Sequence, residues 1–203
     1  MSSFDEDCDI VEVIGHARRW GAESPGVVAV DIGKDNMGVC VLRIPEDGGG
    51  PAIESWRHGS LESASPKGVA DFFHYNGFFD PSYQGPFEVV VERQVAANPT
   101  AVRLQAYVEM LFFSRGWMVF TCEPRVKFEG PTKLGLTDRE EVASKNTYHK
   151  RKTLAVDIAR RFITSDPGNA LEWSEIFENA PKKDDMADAL MHALTHAHKR
   201  MMF

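Results

Sequence analysis

Val27-Val28-Ala29-Val30-Asp31-Ile32-Gly33 is an unbroken apolar run, mostly β-branched, that gives way to a carboxylate and then a glycine. Without polar alternation, Gly26 to Asp31 predicts a strand covered on both faces. Asp31 then stands at the rim of a dry sheet. Turn chemistry is the competing explanation, because Asp31, Gly33 and Asn36 are residue types that close tight turns. A second run of the same kind, Phe87-Glu88-Val89-Val90-Val91-Glu92, also ends on a carboxylate. An ionised Glu92 beside so much apolar chain needs a cation or a salt bridge to offset its desolvation. Arg93 is the nearest candidate, but strand alternation turns it to the opposite face.

Around these two strands the remaining elements can be placed. Met37 to Ile44 reads as an antiparallel return after the Gly33–Asn36 turn, and Ile53 to His58 as a third strand, with a flexible Gly-rich loop at 45–51 between them. Pro66 opens a helix over 66–79, and the stretch 80–86 is a loop. Asn98-Pro99 supplies an N-cap and a first-turn proline for a helix that stops at Gly116. Trp117 to Thr121 makes a fifth strand. Residues 123–146 are expected to be a long loop, a kind that is usually functional or mobile. Thr147 to Thr164 predicts a helix with a basic first turn, stopped at Asp166-Pro167-Gly168. The order β-β-β-α-β-α-β-α-α implies a mixed five-stranded sheet, three antiparallel strands and then parallel βαβα units, flanked by helices. This α/β domain spans 25–203. Residues 1–24 form an acidic arm or a short helix, with Ile10, Val11, Val13, Ile14, Ala17 and Trp20 at roughly helical spacing.

Composition excludes several classes. The 203 residues are 43% hydrophobic and 26% charged, ordinary for a globular chain. Three cysteines without paired spacing argue against a disulfide framework or a zinc site. No run approaches the roughly 18 apolar residues of a membrane span. The acidic start, Asp5-Glu6-Asp7 and Asp9, is the opposite of a secretory or mitochondrial leader, so a soluble intracellular protein is expected. The net charge of −7 is uneven: residues 1–102 carry −9 and residues 103–203 carry +2. The basic excess lies between Arg125 and Arg161, and it suits phosphate recognition better than the total does.

The last helix brings the third acidic group. In Lys182-Lys183-Asp184-Asp185-Met186-Ala187-Asp188-Ala189-Leu190, an apolar stripe of Met186, Ala189, Leu190, Ala193, Leu194 and Ala197 buries one face. Asp185 and Asp188 share the neighbouring face, three residues apart, although Asp184, four before Asp188, fits helical spacing as well. First-turn acids also complement a helix dipole, which is the competing explanation. His192 and His196 continue the face and could extend a site, or form a surface row. Acids converging from two strands and a helix would repel one another unless a cation sat among them. Mg²⁺ prefers such oxygen donors. Two ions about 3.5–4 Å apart can stabilise both the attacking and the departing oxygen of a phosphodiester.

Val30-Asp31-Ile32-Gly33-Lys34-Asp35-Asn36, Val91-Glu92-Arg93-Gln94, Lys150-Arg151-Lys152 and Lys182 to Leu190 together resemble the Holliday-junction resolvases of the RuvC-like, RNase H-fold superfamily. The similarity spans about residues 26–198, and the branch is that of the poxvirus-type viral resolvases and the fungal mitochondrial cruciform-cutting nucleases. It implies an RNase H-like fold with Asp31, Glu92, Asp185 and Asp188 as catalytic metal ligands, which selects Asp185 over Asp184. It implies two Mg²⁺ ions, which Mn²⁺ can replace, and a homodimer that nicks two opposed strands of a four-way DNA junction, leaving 5′-phosphate and 3′-hydroxyl ends. Lys150, Arg151 and Lys152 would grip backbone phosphates. The acidic start favours the viral branch, acting in the host cytoplasm, over the mitochondrial one. Residues 1–24 and 123–146 have no counterpart in the pattern.

Three rivals can be weighed. Actin-like ATPases and sugar kinases share an Asp-x-Gly loop after the first strand but need a second such loop, and none is present. A non-catalytic nucleic-acid-binding protein on the same fold would not need all four acids. A nuclease acting on branched or flapped DNA in general fits the same residues.

Overall fold

The computed structural model describes residues 10–13, 26–45, 49–78, 87–165 and 170–202. The loop expected at 80–86, the stop at 166–168, part of the 45–51 loop and most of 1–24 lie outside them. The sheet carries the five expected strands: β2 (Gly26–Asp31), β3 (Met37–Arg43), β4 (Ala52–Gly59), β5 (Phe87–Glu92) and β6 (Met118–Cys122). Strands β2, β3 and β4 form an antiparallel meander, while β5 lies parallel to both β2 and β6. A further edge strand, β1 (Ile10–Val13), pairs antiparallel with β6 and completes the order β1-β6-β5-β2-β3-β4. Within the expected arm or helix, then, Ile10-Val11-Glu12-Val13 is a strand. Its β-branched residues favour extended backbone, and the open edge of β6 supplies the hydrogen bonds.

Helices cover both faces. On one side, α1 (Pro66–Tyr75) and α2 (Pro99–Phe113) pack through Val69, Phe73, Leu104, Val108 and Phe112 onto Val28, Val30, Val89 and Val91. Both helices start at the expected prolines, Asn98 capping the second as expected, and the structure adds a Ser65 side-chain cap to the first. On the other side lies the core of α5 (Tyr148–Ser165), α6 (Ala170–Asn179) and α7 (Lys183–Met201), against Val27, Ala29, Cys40, Leu42 and Val90. Period-2 alternation therefore sends Val28 and Val30 to one layer, and Val27 and Ala29 to the other.

Residues 123–146 correct the expectation of a long loop. A 3₁₀ turn (Pro124–Val126) leads into α3 (Glu129–Lys133) and α4 (Arg139–Ser144). Two anchors hold this segment. Gly130 lies so close to α7 that a Cβ there would meet the Thr195 Cα at 2.4 Å, and its N–H donates to Thr195 Oγ1 at 3.1 Å. Further along, Arg161 on α5 makes a two-pronged ion pair with Glu141, at 2.8 and 2.9 Å. Neither anchor shows as a run of periodic apolar residues, so the segment reads as irregular. Helix α6 was likewise unanticipated; its Phe177 stacks on Trp56 at 4.8 Å.

Candidate active site

Asp31 and Glu92 come together through strand register. β2 and β5 are parallel neighbours with Val30 opposite Val91, so the next residue of each strand is a carboxylate at the C-terminal end of the sheet. Chain connections leave this point in opposite directions, toward β3 and, through α2, toward β6. Clefts in open α/β sheets form at such places. The first turn of α7 completes the group. It is held by Trp56, whose Nε1 donates to the Met186 carbonyl at 2.9 Å, and by the close passage of Gly38 beneath Asp185.

One cavity of about 600 Å³ is lined by Asp31, Glu92, Asp185 and Asp188, together with Lys127 and Lys152. All four acids predicted from sequence are therefore brought to one place. Lys152 joins them, donating to Asp184 Oδ2 at 2.6 Å and to Asp185 Oδ1 at 3.0 Å. Arg151 lines the same cavity, whereas Lys150 is exposed and is not part of the wall. Asp184 thus pairs with Lys152, and Asp185 and Asp188 are the buried members of the acidic turn.

The electrostatics follow from crowding. Burial pushes the Asp31 carboxyl well above the usual range, and the neighbouring Glu92, Asp188 and Asp185 carboxylates push it further, against a smaller opposing pull from His192. Burial also raises Asp188, although Lys127 Nζ lies 2.8 Å from its Oδ1. Burial would raise Glu92 too, but His192 and Lys127 outweigh it and hold Glu92 down at about 2. For Lys152 burial favours the neutral amine, and the Asp184 and Asp185 carboxylates reverse that and raise it. The chemistry of this donor set fits a divalent cation: oxygen ligands whose mutual repulsion a positive charge would relieve. Among the described residues no three His, Cys, Asp or Glu side chains form a closed ligand set as they stand, and Asp188 and Asp185 are engaged by the two lysines.

Lys127 and His192 are the residues that sequence reasoning underrated. Lys127 sits in the segment read as a loop, and its signals are its place in the basic excess and between Val126 and Phe128, both buried. Docking of that segment on α7 directs it inward: Thr195 Oγ1 donates to the Lys127 carbonyl at 3.0 Å. His192 is fully buried rather than part of a surface row, with Nδ1 3.1 Å from Cys122 Sγ and Nε2 3.5 Å from Glu92 Oε1. His196 lies one turn further along α7, paired with Glu88 at 2.5 Å and away from the cavity wall.

Comparison with known proteins agrees with this architecture. The structure resembles a fowlpox virus resolvase solved in complex with substrate Holliday junction DNA, at 15% identity and a TM-score of 0.62, over 86% of this chain and 98% of that one. The yeast mitochondrial Holliday junction resolvase Ydc2 is similar at 17% identity and a TM-score of 0.58, over 87% and 81% of the two chains. Thermus thermophilus RuvC is similar at 17% identity and a TM-score of 0.55, over 87% and 96%. At these identities the likeness establishes a shared RuvC-type fold. No curated protein matches in sequence. Residues 26–200 match the family model described as Poxvirus A22 protein, almost the whole of the sheet and all seven helices but the last residues, and the chain belongs to that family.

Proposed function

We propose that this chain is a metal-dependent endonuclease that resolves four-way DNA junctions, acting as a homodimer. The observation that carries the reading is the convergence of Asp31, Glu92, Asp185 and Asp188 on one cavity that also holds Lys127 and Lys152. The likeness in fold to resolvases, one of them solved with junction DNA, and membership of a poxvirus family support the choice of substrate. Asp31 and Glu92 from the sheet and Asp185 and Asp188 from α7 would hold two Mg²⁺ ions. When bound, the metal would neutralise the phosphodiester and lower the barrier to its hydrolysis. Lys152 orients Asp185 and presents a cationic group beside the scissile phosphate. Arg151 at the rim and Lys150 beyond it grip flanking phosphates. A two-fold dimer matches the two-fold symmetry of a junction and accounts for paired nicks. The poxvirus family points to the host cytoplasm as the place of action.

Labelled four-way junction, duplex and flap substrates, incubated with and without Mg²⁺, test the reading. Junctions should be nicked symmetrically and only with the metal. Equal cutting of flaps would widen the substrate class to branched DNA in general. Asp185→Asn should lower cleavage by about a hundredfold or more, the scale on which loss of one charge-stabilising group acts, while junction binding persists. Loss of binding together with cleavage would contradict the assigned role.

A further inference from the structure

Glu92 and Cys122 face each other in the parallel register of β5 and β6, and His192 of α7 lies across both. Its ring is fully enclosed and each nitrogen has one polar neighbour: Cys122 Sγ at 3.1 Å from Nδ1, and Glu92 Oε1 at 3.5 Å from Nε2. The Nε2 contact makes no hydrogen bond as it stands, which leaves Nε2 a buried polar atom without a hydrogen-bond partner. An ionised carboxylate offers only lone pairs, so a bare Nε2 would face Glu92 lone pair to lone pair. A proton on Nε2 points at Glu92 whether Nδ1 accepts from the Cys122 thiol or itself donates to Sγ.

We propose that His192 is a positioning residue for the metal site: its Nε2–H holds Glu92 Oε1 and so fixes the orientation in which this carboxylate would meet the ion. The inference rests on the reading of Glu92 as a metal ligand. A small rotation of the Glu92 carboxylate toward His192 satisfies the orphaned nitrogen and fixes the ligand's orientation together. Partners behind a ligand act in this way, and losing one typically costs about 10–100-fold in metal affinity or activity.

Three measurements on the full chain decide it. Nitrogen NMR of the metal-free protein should find Nε2 of His192 protonated; a bare Nε2 with the proton on Nδ1 overturns the proposal. Calorimetric titration with Mn²⁺, without DNA, should show His192→Leu binding about 10–100-fold more weakly than wild type. His192→Gln, which keeps an N–H near the position of Nε2, should recover most of the loss. On junction substrate, His192→Leu should lower kcat and raise the Mg²⁺ needed for half-maximal cleavage, with KM for the junction unchanged. Wild-type metal affinity in a folded His192→Leu protein overturns the proposal, as does failure of Gln to rescue. If the Leu variant does not fold, the Gln variant and the protonation of Nε2 still decide. Were the metal-ligand reading itself wrong, wild type would bind no Mn²⁺ at this site, an outcome distinct from equal binding by wild type and variant.

Discussion

Single residues fix the spacing of the active cavity. Gly38 on β3 is the clearest case, because an added Cβ would lie 2.4 Å from the Asp185 carbonyl oxygen and 2.9 Å from its carbonyl carbon. Both are backbone atoms, so no side-chain rotation can relieve the clash. Gly38→Ala should therefore lift the first turn of α7 off the sheet and move Asp185 away from Asp31 and Glu92. Overpacking of this kind costs about 1–3 kcal/mol. The expected outcome is a lower denaturation midpoint together with slower single-turnover cleavage. A variant with wild-type stability and rate would show that α7 can shift without disturbing the acids. Lys127 illustrates a different residue-scale effect. With its side chain almost enclosed and 2.8 Å from Asp188, it supplies positive charge inside the acidic cluster and lowers the cost of burying it.

At the scale of elements, the stretch between β6 and α5 is organised by ties to two helices. One tie is Gly130 against Thr195 on α7; the other is Arg161 of α5 clamped on Glu141, with Arg161 Nη1 also donating to the Leu136 carbonyl at 2.9 Å. Hydrogen bonds from Arg161 and then Thr137 hold the Glu141 carboxyl down at about 2, against a usual 4.5. A carboxylate depressed on folding contributes stability above its unfolded pKa, and that contribution is lost as pH falls from about 4.5 through 2. The pair is largely solvent-screened, so Arg161→Ala should cost about 1 kcal/mol at pH 7. The difference between variant and wild type should shrink below pH 4, down to the pH-independent part left by the lost Leu136 hydrogen bond. Chemical denaturation at pH 7 and pH 3 measures this directly. Faster hydrogen exchange over 134–145 in the variant would place the loss in this segment.

For the whole molecule, the relevant quantity is the distribution of charge. A chain of net charge −7 whose basic excess lies on α5 and the preceding segment presents phosphate with one favourable face. Junction affinity should fall steeply with salt, by a log–log slope of about −0.9 for each phosphate neutralised. Replacing Lys150 and Arg151 together by Ala should flatten that slope by about 2. Fluorescence anisotropy over a KCl series measures it, and an unchanged slope would remove these two residues from the phosphate grip. Lys152 belongs to a different class: it is half-enclosed and committed to Asp184 and Asp185, so its loss should act on cleavage before it acts on the slope.

Much of this was legible in the amino-acid order. Apolar runs ending on Asp31 and Glu92, helix starts at Pro66 and at the Asn98 cap, and the apolar stripe beside Asp185 and Asp188 are local patterns. Local backbone and burial preferences are enough to set strand, helix and buried face. What those patterns leave open is contact between distant parts of the chain. Only the tertiary structure decided that Ile10–Val13 closes the sheet, that Lys127 and Lys152 enter the acidic cluster, and that His192 lies behind Glu92. Each depends on an edge, a glycine contact or a register made by residues dozens of positions apart. Sequence periodicity records the face on which a residue lies, while the partner it meets there is chosen by packing.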